Sequence, residues 1–173
     1  MSDLITFDAI PDDGSINFSI GQPSPDLLPL ALLKKASEQF FKHAKPSDIN
    51  YGSPNGDIRF LAALANFLTA HYGEEATPGT LLLTNGNSQA LDFVCTMLAR
   101  AGDTIFVEEP TYFLAANIFK DHALNVVGIP TDAQGLDIDY LEQALKHTKP
   151  VFLYTIPVFH NPGGHSLSMN RKE

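Results

Sequence analysis

From Thr80 onward the sequence alternates between short apolar runs and longer amphipathic stretches, and this rhythm is what most constrains the fold. The apolar runs predict strands at residues 81–84, 104–108, 125–129 and 151–155. The amphipathic stretches predict helices at residues 88–100, 112–121 and 137–147. Strands that alternate with helices form a mainly parallel sheet with helices packed on its faces. The sequence therefore predicts an α/β fold, in which ligands bind beyond the carboxyl ends of the strands.

The first fifty residues follow a different pattern. Residues 21–29 contain three prolines, which interrupt regular structure and predict an extended arm. A helical pattern follows over residues 30–43, and a second runs over residues 57–71. We therefore predict an N-terminal arm and helix over residues 1–50, and the first part of a larger domain over residues 51–173.

Charge and composition argue against several classes of protein. The 173 residues carry a net charge of −9, so neither nucleic acid nor an anionic membrane is expected as a partner. The longest apolar run, residues 151–159, is too short to cross a bilayer. Cys95 is the only cysteine, and it predicts a buried thiol rather than a nucleophile. No signal-peptide pattern is evident at the amino terminus, so we expect a cytoplasmic location.

A glycine lies where the first predicted strand ends and the next helix begins. Gly86 allows a sharp turn, and Asn87, Ser88 and Gln89 follow it at the positive end of the helix. Unpaired N–H groups and short polar side chains at such a position suit a phosphate. The segment matches neither a dinucleotide-binding glycine loop nor a Walker A loop. The alternative interpretation is an ordinary helix start with Asn87 or Ser88 as its cap.

Two other loops at predicted strand ends carry candidate binding residues. Tyr112 follows the second strand, where an aromatic ring can stack on a planar heteroaromatic ligand. The alternative is a half-buried core tyrosine. Asn161 follows the fourth strand, where its amide can donate to a phenolate oxygen, and the alternative is an ordinary turn. His160 and His165 lie nearby, but no third ligand is evident beside them, so no metal site is predicted.

The order and spacing of these segments resemble one enzyme family. The matching segments are Ile16–Pro23, Tyr51 with Gly56, Gly86–Leu91, Gly102 with Asp103, Glu109–Tyr112 and His160–Pro162. Together they are similar to the class I/II aminotransferases, fold type I enzymes that depend on pyridoxal 5′-phosphate (PLP), and within them to the branch of 2-aminoadipate-type transaminases. The resemblance implies an incomplete three-layer αβα PLP-transferase large domain with a mainly parallel sheet, preceded by an N-terminal arm and helices.

The resemblance also implies roles for individual residues in binding PLP. Asn87 and Ser88 would hold the phosphate, with Gln89 beside them. Tyr112 would stack on the pyridine ring, and Asn161 would bond the ring's 3-oxygen and help the ring to withdraw electrons.

Two further residues are implied to act at other parts of the active site. Tyr51 is similar to the tyrosine that reaches the cofactor phosphate of the neighbouring subunit in a homodimer. Gly21 stands where family members line the pocket for the substrate carboxylate, and Gly163 stands where threonine is commoner. The implied reaction transfers an amino group between an amino acid and a 2-oxo acid.

Three groups that the family's mechanism needs do not occur in the matched segments. They are the lysine that binds PLP as a Schiff base, the aspartate at the pyridine nitrogen and the arginine for the substrate carboxylate. We therefore predict a truncated form with a partial cofactor site and no activity alone. The strand at residues 81–84 would also lack its pairing partner, which predicts poor solubility. A non-catalytic partner-binding protein and a PLP-dependent lyase of the same fold are the alternatives.

Overall fold

The structure, a computed structural model, describes Gly14, Gly21 and residues 23–172. The chain divides into two units, residues 1–54 and residues 55–173. Most of the segment Ile16–Pro23, which carries part of the family resemblance, lies outside the described residues.

The first unit contains one long helix between two short ones. Helix α1 runs over Leu30–His43, as predicted, and 3₁₀ helices lie at Pro25–Leu27 and Pro46–Ile49. None of the α1 residues is buried within the unit, although the sequence predicts an apolar side for this helix.

The second unit begins with helix α2, Ile58–Tyr72, close to the predicted bounds. It starts where the Asp57 carboxylate accepts hydrogen bonds from the N–H groups of Arg59 and Phe60. It ends at Gly73, whose φ of 76° lies in the left-handed region that glycine adopts without strain. Both ends of the helix are therefore specified by local chemistry.

The buried side of α2 is narrower than its apolar pattern suggests. Leu61 and Ala65 are buried, at 3% and 2% exposure. Phe60 and Phe67, which are seven residues apart and so lie on one side of the helix, are 53% and 52% exposed. The periodicity identified the helix, but the packing around it covers only part of the stripe.

The remaining elements follow the predicted alternation. They are a 3₁₀ helix at Pro78–Thr80, α3 at Gly86–Leu98, β1 at Thr104–Glu109, α4 at Phe113–Asp121, β2 at Asn125–Asp132, β3 at Gly135–Leu136, α5 at Ile138–His147, β4 at Leu153–Tyr154 and α6 at Met169–Lys172. Within the described part of the chain, no helix combines the length and the apolar character needed to span a membrane.

Strand β1 lies inside a sheet of order β3-β2-β1-β4. It pairs in parallel with β2 along its whole length, Thr104 to Glu109. It also pairs in parallel with β4, with Val107 opposite Tyr154. The two-residue strand β3, which the sequence did not predict, pairs antiparallel with the end of β2. The expected mainly parallel sheet is confirmed.

Helices cover both faces of this sheet. Ile105 and Val107 of β1 pack on one face with Phe119 of α4 and Cys95 of α3. Phe106 points to the opposite face, where it packs in a second core with apolar residues from β2, β3 and α5. A strand covered on both sides reads as a continuous apolar run, which is why β1 was predictable. The three-layer αβα arrangement is confirmed.

Cys95 is a buried thiol, as the sequence predicts, with 1% exposure. Burial, and to a smaller extent the Asp92 carboxylate, raise the pKa of this thiol. Because the thiolate is the reactive form, Cys95 is poorly suited to act as a nucleophile.

Residues 81–84 are not a strand, so that prediction is wrong. The N–H of Leu83 donates to the carbonyl of Asn55 at 3.0 Å, and none of the four described strands pairs with the segment. Leu82 and Leu83 remain 53% and 39% exposed. An apolar run becomes a strand only where a neighbouring strand offers its own N–H and C=O groups. This outcome agrees with the expectation that the segment lacks a pairing partner.

Candidate functional site

Helix α3 begins at Gly86, earlier than the predicted start at Ser88. Gly86 has a φ of 80°, a left-handed conformation that glycine reaches without strain. Asn85 occupies the cap position, but its side chain makes no capping hydrogen bond. The alternative in which Asn87 or Ser88 caps an ordinary helix is therefore wrong, because both lie within the first turn.

Two side chains hold the loop that leads into α3. The side-chain oxygen of Gln89 accepts a hydrogen bond from the Asn85 N–H at 2.5 Å. The Thr84 hydroxyl donates to the Gly86 carbonyl at 3.0 Å. Gln89 thus stabilises the turn itself. The first N–H groups of a helix have no partner within the helix, so the first turn of α3 presents donors and a partial positive charge.

The first turn of α3 and the start of α4 border a pocket of about 120 Å³. Its lining residues are Asn87, Ser88, Leu91, Tyr112, Ala115, Ile118 and Tyr154. Three of the predicted site residues, Asn87, Ser88 and Tyr112, therefore share one pocket. Tyr154 was not predicted, although its position at the carboxyl end of β4 is the signal that would have found it.

Tyrosines form the aromatic side of this pocket. Tyr112 is half-buried just before α4, and its ring meets that of Phe113 edge-on at 5.3 Å between centroids. Burial raises the pKa of the Tyr154 phenol, and nearby Tyr112 and Glu108 raise it further. Tyr154 therefore keeps its proton at neutral pH. A helix start on one side and aromatic rings on the other suit an anion attached to a flat ring.

Asn161 does not line this pocket. It is an exposed residue in the turn after β4, and a cis peptide bond joins it to Pro162. Gln89, the residue expected beside the phosphate, is also absent from the lining and faces Asn85 instead.

The remaining two predicted site residues belong to the first unit. Tyr51 is fully exposed there, and it follows the 3₁₀ helix at Pro46–Ile49. Gly21 is also exposed. Their implied roles, towards a second subunit and towards a substrate, remain predictions.

Glu108 and His160 form a buried polar pair that the sequence did not reveal. The two residues are 1% and 2% exposed. Nε2 of His160 lies 3.2 Å from Oε2 of Glu108. The same carboxylate oxygen accepts a hydrogen bond from the Ile156 N–H at 2.7 Å. The Glu108 side chain therefore connects the end of β1 to the chain that leaves β4.

The structure gives a steric reason for glycine at position 163, where threonine is commoner in the family. A Cβ atom at this position would lie 2.5 Å from Cε1 of His165 and 2.9 Å from Nδ1 of His160. The two histidine rings stack with 4.5 Å between centroids and 9° between their planes. Glycine therefore leaves the space that the stacked histidines need.

The cluster raises the question of a metal ion. Glu108, His160 and His165 each offer a ligand atom within 4.8 Å of the others. The sequence argument that no third ligand lies near the histidines is therefore wrong. However, the Gly163 N–H donates to Nδ1 of His160 at 3.0 Å, so the neutral ring carries its proton on Nε2. A protonated nitrogen has no lone pair for a metal, and Nε2 lies 3.2 Å from Oε2 of Glu108 without a hydrogen-bond partner among the described residues.

Comparison with known proteins identifies the family. A profile of aminotransferase class I and II matches residues 13–171. The chain belongs to this family of aminotransferases. The family assignment made from the sequence is thereby confirmed, and so is the α/β fold that it implied.

The relatives of this aminotransferase-family chain carry different functional names. Aromatic-amino-acid aminotransferase 1 of Thermococcus litoralis is 29% identical over 91% of this chain and 39% of its own length. The crystal structure of the α-aminoadipate aminotransferase of Thermus thermophilus, in complex with a phosphopyridoxyl-leucine, has a TM-score of 0.79 and 28% identity, over 90% of this chain and 38% of that one. An uncharacterized HTH-type transcriptional regulator of Bacillus subtilis is 28% identical over 91% of this chain and 32% of its own length. The chain thus spans less than half the length of each of these relatives.

Proposed function

We propose that this chain supplies the phosphate-and-ring half of the PLP site of an aminotransferase that transfers amino groups between an amino acid and a 2-oxo acid. The observation that carries the proposal is the pocket where the first turn of α3 meets Tyr112. Its chemistry suits a phosphorylated aromatic cofactor, and membership of the aminotransferase family makes PLP the natural candidate.

The phosphate would bind at the start of α3. Asn87 and Ser88 bring short polar side chains to the pocket, and the N–H groups of the first turn add donors without any cationic side chain. Gln89 would not contact the phosphate directly. It would hold the loop in place by accepting a hydrogen bond from the Asn85 N–H. The positive end of the helix stabilises the negative charge.

The ring would lie against Tyr112, with Tyr154 beside it. An aromatic face contributes about 1 kcal/mol of stacking energy beyond simple burial. Asn161, from the turn after β4, would donate its amide to the 3-oxygen of the ring. When bound, PLP supplies an aldehyde that accepts the amino group and a ring that withdraws electrons from the reacting carbon.

We propose further that the 173-residue chain alone binds the cofactor without turnover. The eight lysines are Lys34, Lys35, Lys42, Lys45, Lys120, Lys146, Lys149 and Lys172, and all of them are exposed. None of them lines the pocket of α3 and Tyr112. Covalent attachment of PLP needs an amine that reaches the cofactor's aldehyde, and a lysine that does not line the pocket does not provide one.

The test measures the binding of a cofactor analogue separately from Schiff-base formation and amino-group transfer. We expect 4-deoxypyridoxine 5′-phosphate, which needs no lysine, to bind the chain, and Ser88→Ala to weaken that binding. We expect borohydride reduction in the presence of PLP to leave no single stoichiometric lysine adduct, and amino-group transfer from amino acids to 2-oxo acids to be absent. A stoichiometric adduct at one lysine, or turnover, would show that the chain is a complete enzyme.

The assembly and location belong to the same proposal. We propose that the active form is a homodimer in which Tyr51 reaches the phosphate of the partner's cofactor, and that Gly21 borders the site of the substrate carboxylate. Full exposure of Tyr51 supports the first part. A cytoplasmic location is proposed with it. Tyr51→Phe should weaken cofactor binding only in the dimer, which concentration-dependent titrations would measure.

A second candidate function is a non-catalytic module that binds a partner or a small ligand. The likeness to a protein named as an HTH-type transcriptional regulator supports it. The two candidates differ in the coding sequence around this chain. A lysine-bearing aminotransferase segment in frame after codon 173 favours the enzyme, and a DNA-binding segment in frame before codon 1 favours the regulator.

A further inference from the structure

We infer that Glu108 and His160 are positioning residues for Asn161, acting together to hold the turn from which its amide addresses the cofactor ring. The inference rests on the proposed function, because it concerns a ring that Asn161 would contact. It adds residues that neither the family resemblance nor the pocket assigns.

Glu108 holds the start of the turn and His160 at the same time. Its Oε2 atom accepts from the Ile156 N–H at 2.7 Å and lies 3.2 Å from Nε2 of His160. Ile156 is the second residue after β4, and His160 directly precedes Asn161. A rigid strand residue, Glu108, therefore fixes the chain on both sides of the segment that leads to Asn161.

His160 is also held by its own backbone. Its N–H donates to the carbonyl of His165 at 2.8 Å, and its carbonyl accepts from the Gly164 N–H at 2.6 Å. Its Nδ1 atom accepts from the Gly163 N–H at 3.0 Å. Asn161 therefore sits in a turn closed by three hydrogen bonds, all of which involve the residue before it.

The backbone beside this anchor is strained. Phe159 has a φ of 51°, a left-handed conformation that is unfavourable for a residue with a bulky side chain, and its side chain is 84% exposed. An exposed ring gains little from packing, so it does not offset the strain. A strained residue persists only where its surroundings over-determine its conformation. The buried His160 on its carboxyl side, anchored to Glu108, supplies that constraint.

The contact between Glu108 and His160 lies out of reach of solvent. Both side chains are excluded from water, and neither Oε1 of Glu108 nor Nε2 of His160 has a hydrogen-bond partner among the described residues, so the two side chains meet through the 3.2 Å contact alone. The Ile156 N–H is the hydrogen-bond donor that the described residues offer to this carboxylate. Removing His160 would take away the buried 3.2 Å contact beside it. The turn would lose the part of its connection to β1 that runs through His160, although α3 and its phosphate-binding donors belong to a separate element.

The experiment compares two ligands on three forms of the full chain. The ligands are 4-deoxypyridoxine 5′-phosphate and its analogue that lacks the 3-hydroxyl group. The forms are the wild type, His160→Leu and His160→Gln, in which a polar amide can still contact the Glu108 carboxylate. His122→Gln is the matched control. His122 also contacts a carboxylate, since its Nε2 lies 2.7 Å from Oδ1 of Asp92, but this pair joins α3 to the end of α4 and not to the turn after β4.

We expect His160→Leu to bind the 3-hydroxyl ligand roughly tenfold more weakly, as the loss of one hydrogen bond to a charged oxygen would produce. The 3-deoxy ligand should bind the two forms equally, and His160→Gln should recover most of the loss. Hydrogen exchange at residues 156–164 should accelerate in His160→Leu, with residues 86–91 unchanged. The control variant should match the wild type in both measurements.

Two results would overturn the inference. An equal loss for both ligands would show that His160 is merely structural, and unchanged exchange at residues 156–164 would show that it does not hold the turn. Failure of the proposed function has a different signature, since the wild type would then bind neither ligand better than inorganic phosphate. That result would remove the positioning role as well.

Discussion

Glu108 and His160 meet inside the protein, with 3.2 Å between Oε2 of the carboxylate and Nε2 of the imidazole. The two residues are distant in sequence, one at the end of β1 and the other beyond β4. Parallel pairing of β1 with β4 brings the two strand ends together at the same edge of the sheet. A polar pair in this position makes the turn after β4 depend on the central strand.

Substitution of Glu108 tests the strength of this contact. Glu108→Leu should lower the free energy of unfolding by about 3 kcal/mol, because it leaves the Ile156 N–H without its acceptor and the buried His160 ring without its polar contact. Glu108→Gln should cost less, since its amide oxygen still accepts. Urea denaturation measures both changes. The double variant Glu108→Leu/His160→Leu should lose less than the sum of the single variants, and additive losses would contradict a direct interaction.

Substitution at Gly163 tests the histidine stack. Gly163→Thr should lower the free energy of unfolding by about 1–3 kcal/mol, because its Cβ would lie 2.5 Å from Cε1 of His165. Adding His165→Val should recover part of that loss, since the smaller side chain vacates the space. Thermal unfolding of the two single variants and the double variant measures the coupling. If Gly163→Thr is as stable as the wild type, the rings do not occupy this space in solution.

A new negative charge at the start of α3 should affect stability and binding in opposite directions. Asn87→Asp should raise the free energy of unfolding by up to about 1 kcal/mol, because an anion is favourable at a helix N-terminus. The same charge should weaken the binding of 4-deoxypyridoxine 5′-phosphate, since it repels the phosphate. Gln143→Glu, which adds the same charge on α5, is the control. Unchanged affinity in Asn87→Asp would exclude a phosphate at this helix.

The ion pair between Arg171 and Asp132 should make stability depend on pH. The two terminal guanidinium nitrogens lie 2.7 Å from the carboxylate oxygens, and the hydrogen bonds from Arg171 hold the pKa of Asp132 below its usual value. A lowered native pKa means that the stabilisation is complete above the ordinary aspartate value of about 4 and is lost as the pH falls below it.

Arg171→Leu should therefore lower the thermal unfolding midpoint at neutral pH, and the difference from the wild type should shrink as the pH falls below about 4. Part of the difference should persist in acid, because Arg171 also donates to the carbonyls of Gly135 and Leu136 at 2.9 Å. These carbonyls do not titrate. A difference that stays constant with pH would show that the Asp132 contact adds nothing.

The chain alone should self-associate. Met97 and Leu98, on the outer side of α3, are 80% and 58% exposed, and the unpaired segment with Leu82 adds further apolar surface. We expect size-exclusion chromatography with light scattering to find concentration-dependent association, reduced by Met97→Lys. A monodisperse monomer with a single cooperative thermal transition would refute the expectation of poor solubility.

The sequence was a good guide to elements whose signal is local. Helix α1 has the predicted bounds, and the end of α2 at Gly73 follows from the freedom of glycine to adopt a φ of 76°. Strand β1 was found because its continuous apolar run matches burial on both faces. Residues 81–84 have the same apolar character, yet they form no strand, because pairing depends on another strand that composition does not reveal.

The candidate site divides in the same way. Gly86, Asn87 and Ser88 are adjacent in the chain, so a turn followed by a helix start could be read directly from their order. The sequence marks Tyr154 only as a residue near the carboxyl end of a predicted strand, and the register of β4 against β1 together with the position of Tyr112 makes it a pocket residue. The steric reason for Gly163 was equally hidden, since the two histidine rings that exclude a side chain there are placed by the folded turn.

What the sequence by itself determined is the α/β class, the family and the turn at Gly86 that begins α3. These follow from periodicity and from residues that act on their immediate neighbours. Only the tertiary structure decided which groups surround Glu108, namely the His160 ring and the Ile156 N–H. Nothing in the sequence of β1 distinguishes Glu108 from an exposed glutamate. Its partner His160 lies much later in the chain, after α4, β2, β3, α5 and β4. Long-range pairing placed both side chains away from water, where a polar group must find a partner because the solvent cannot supply one.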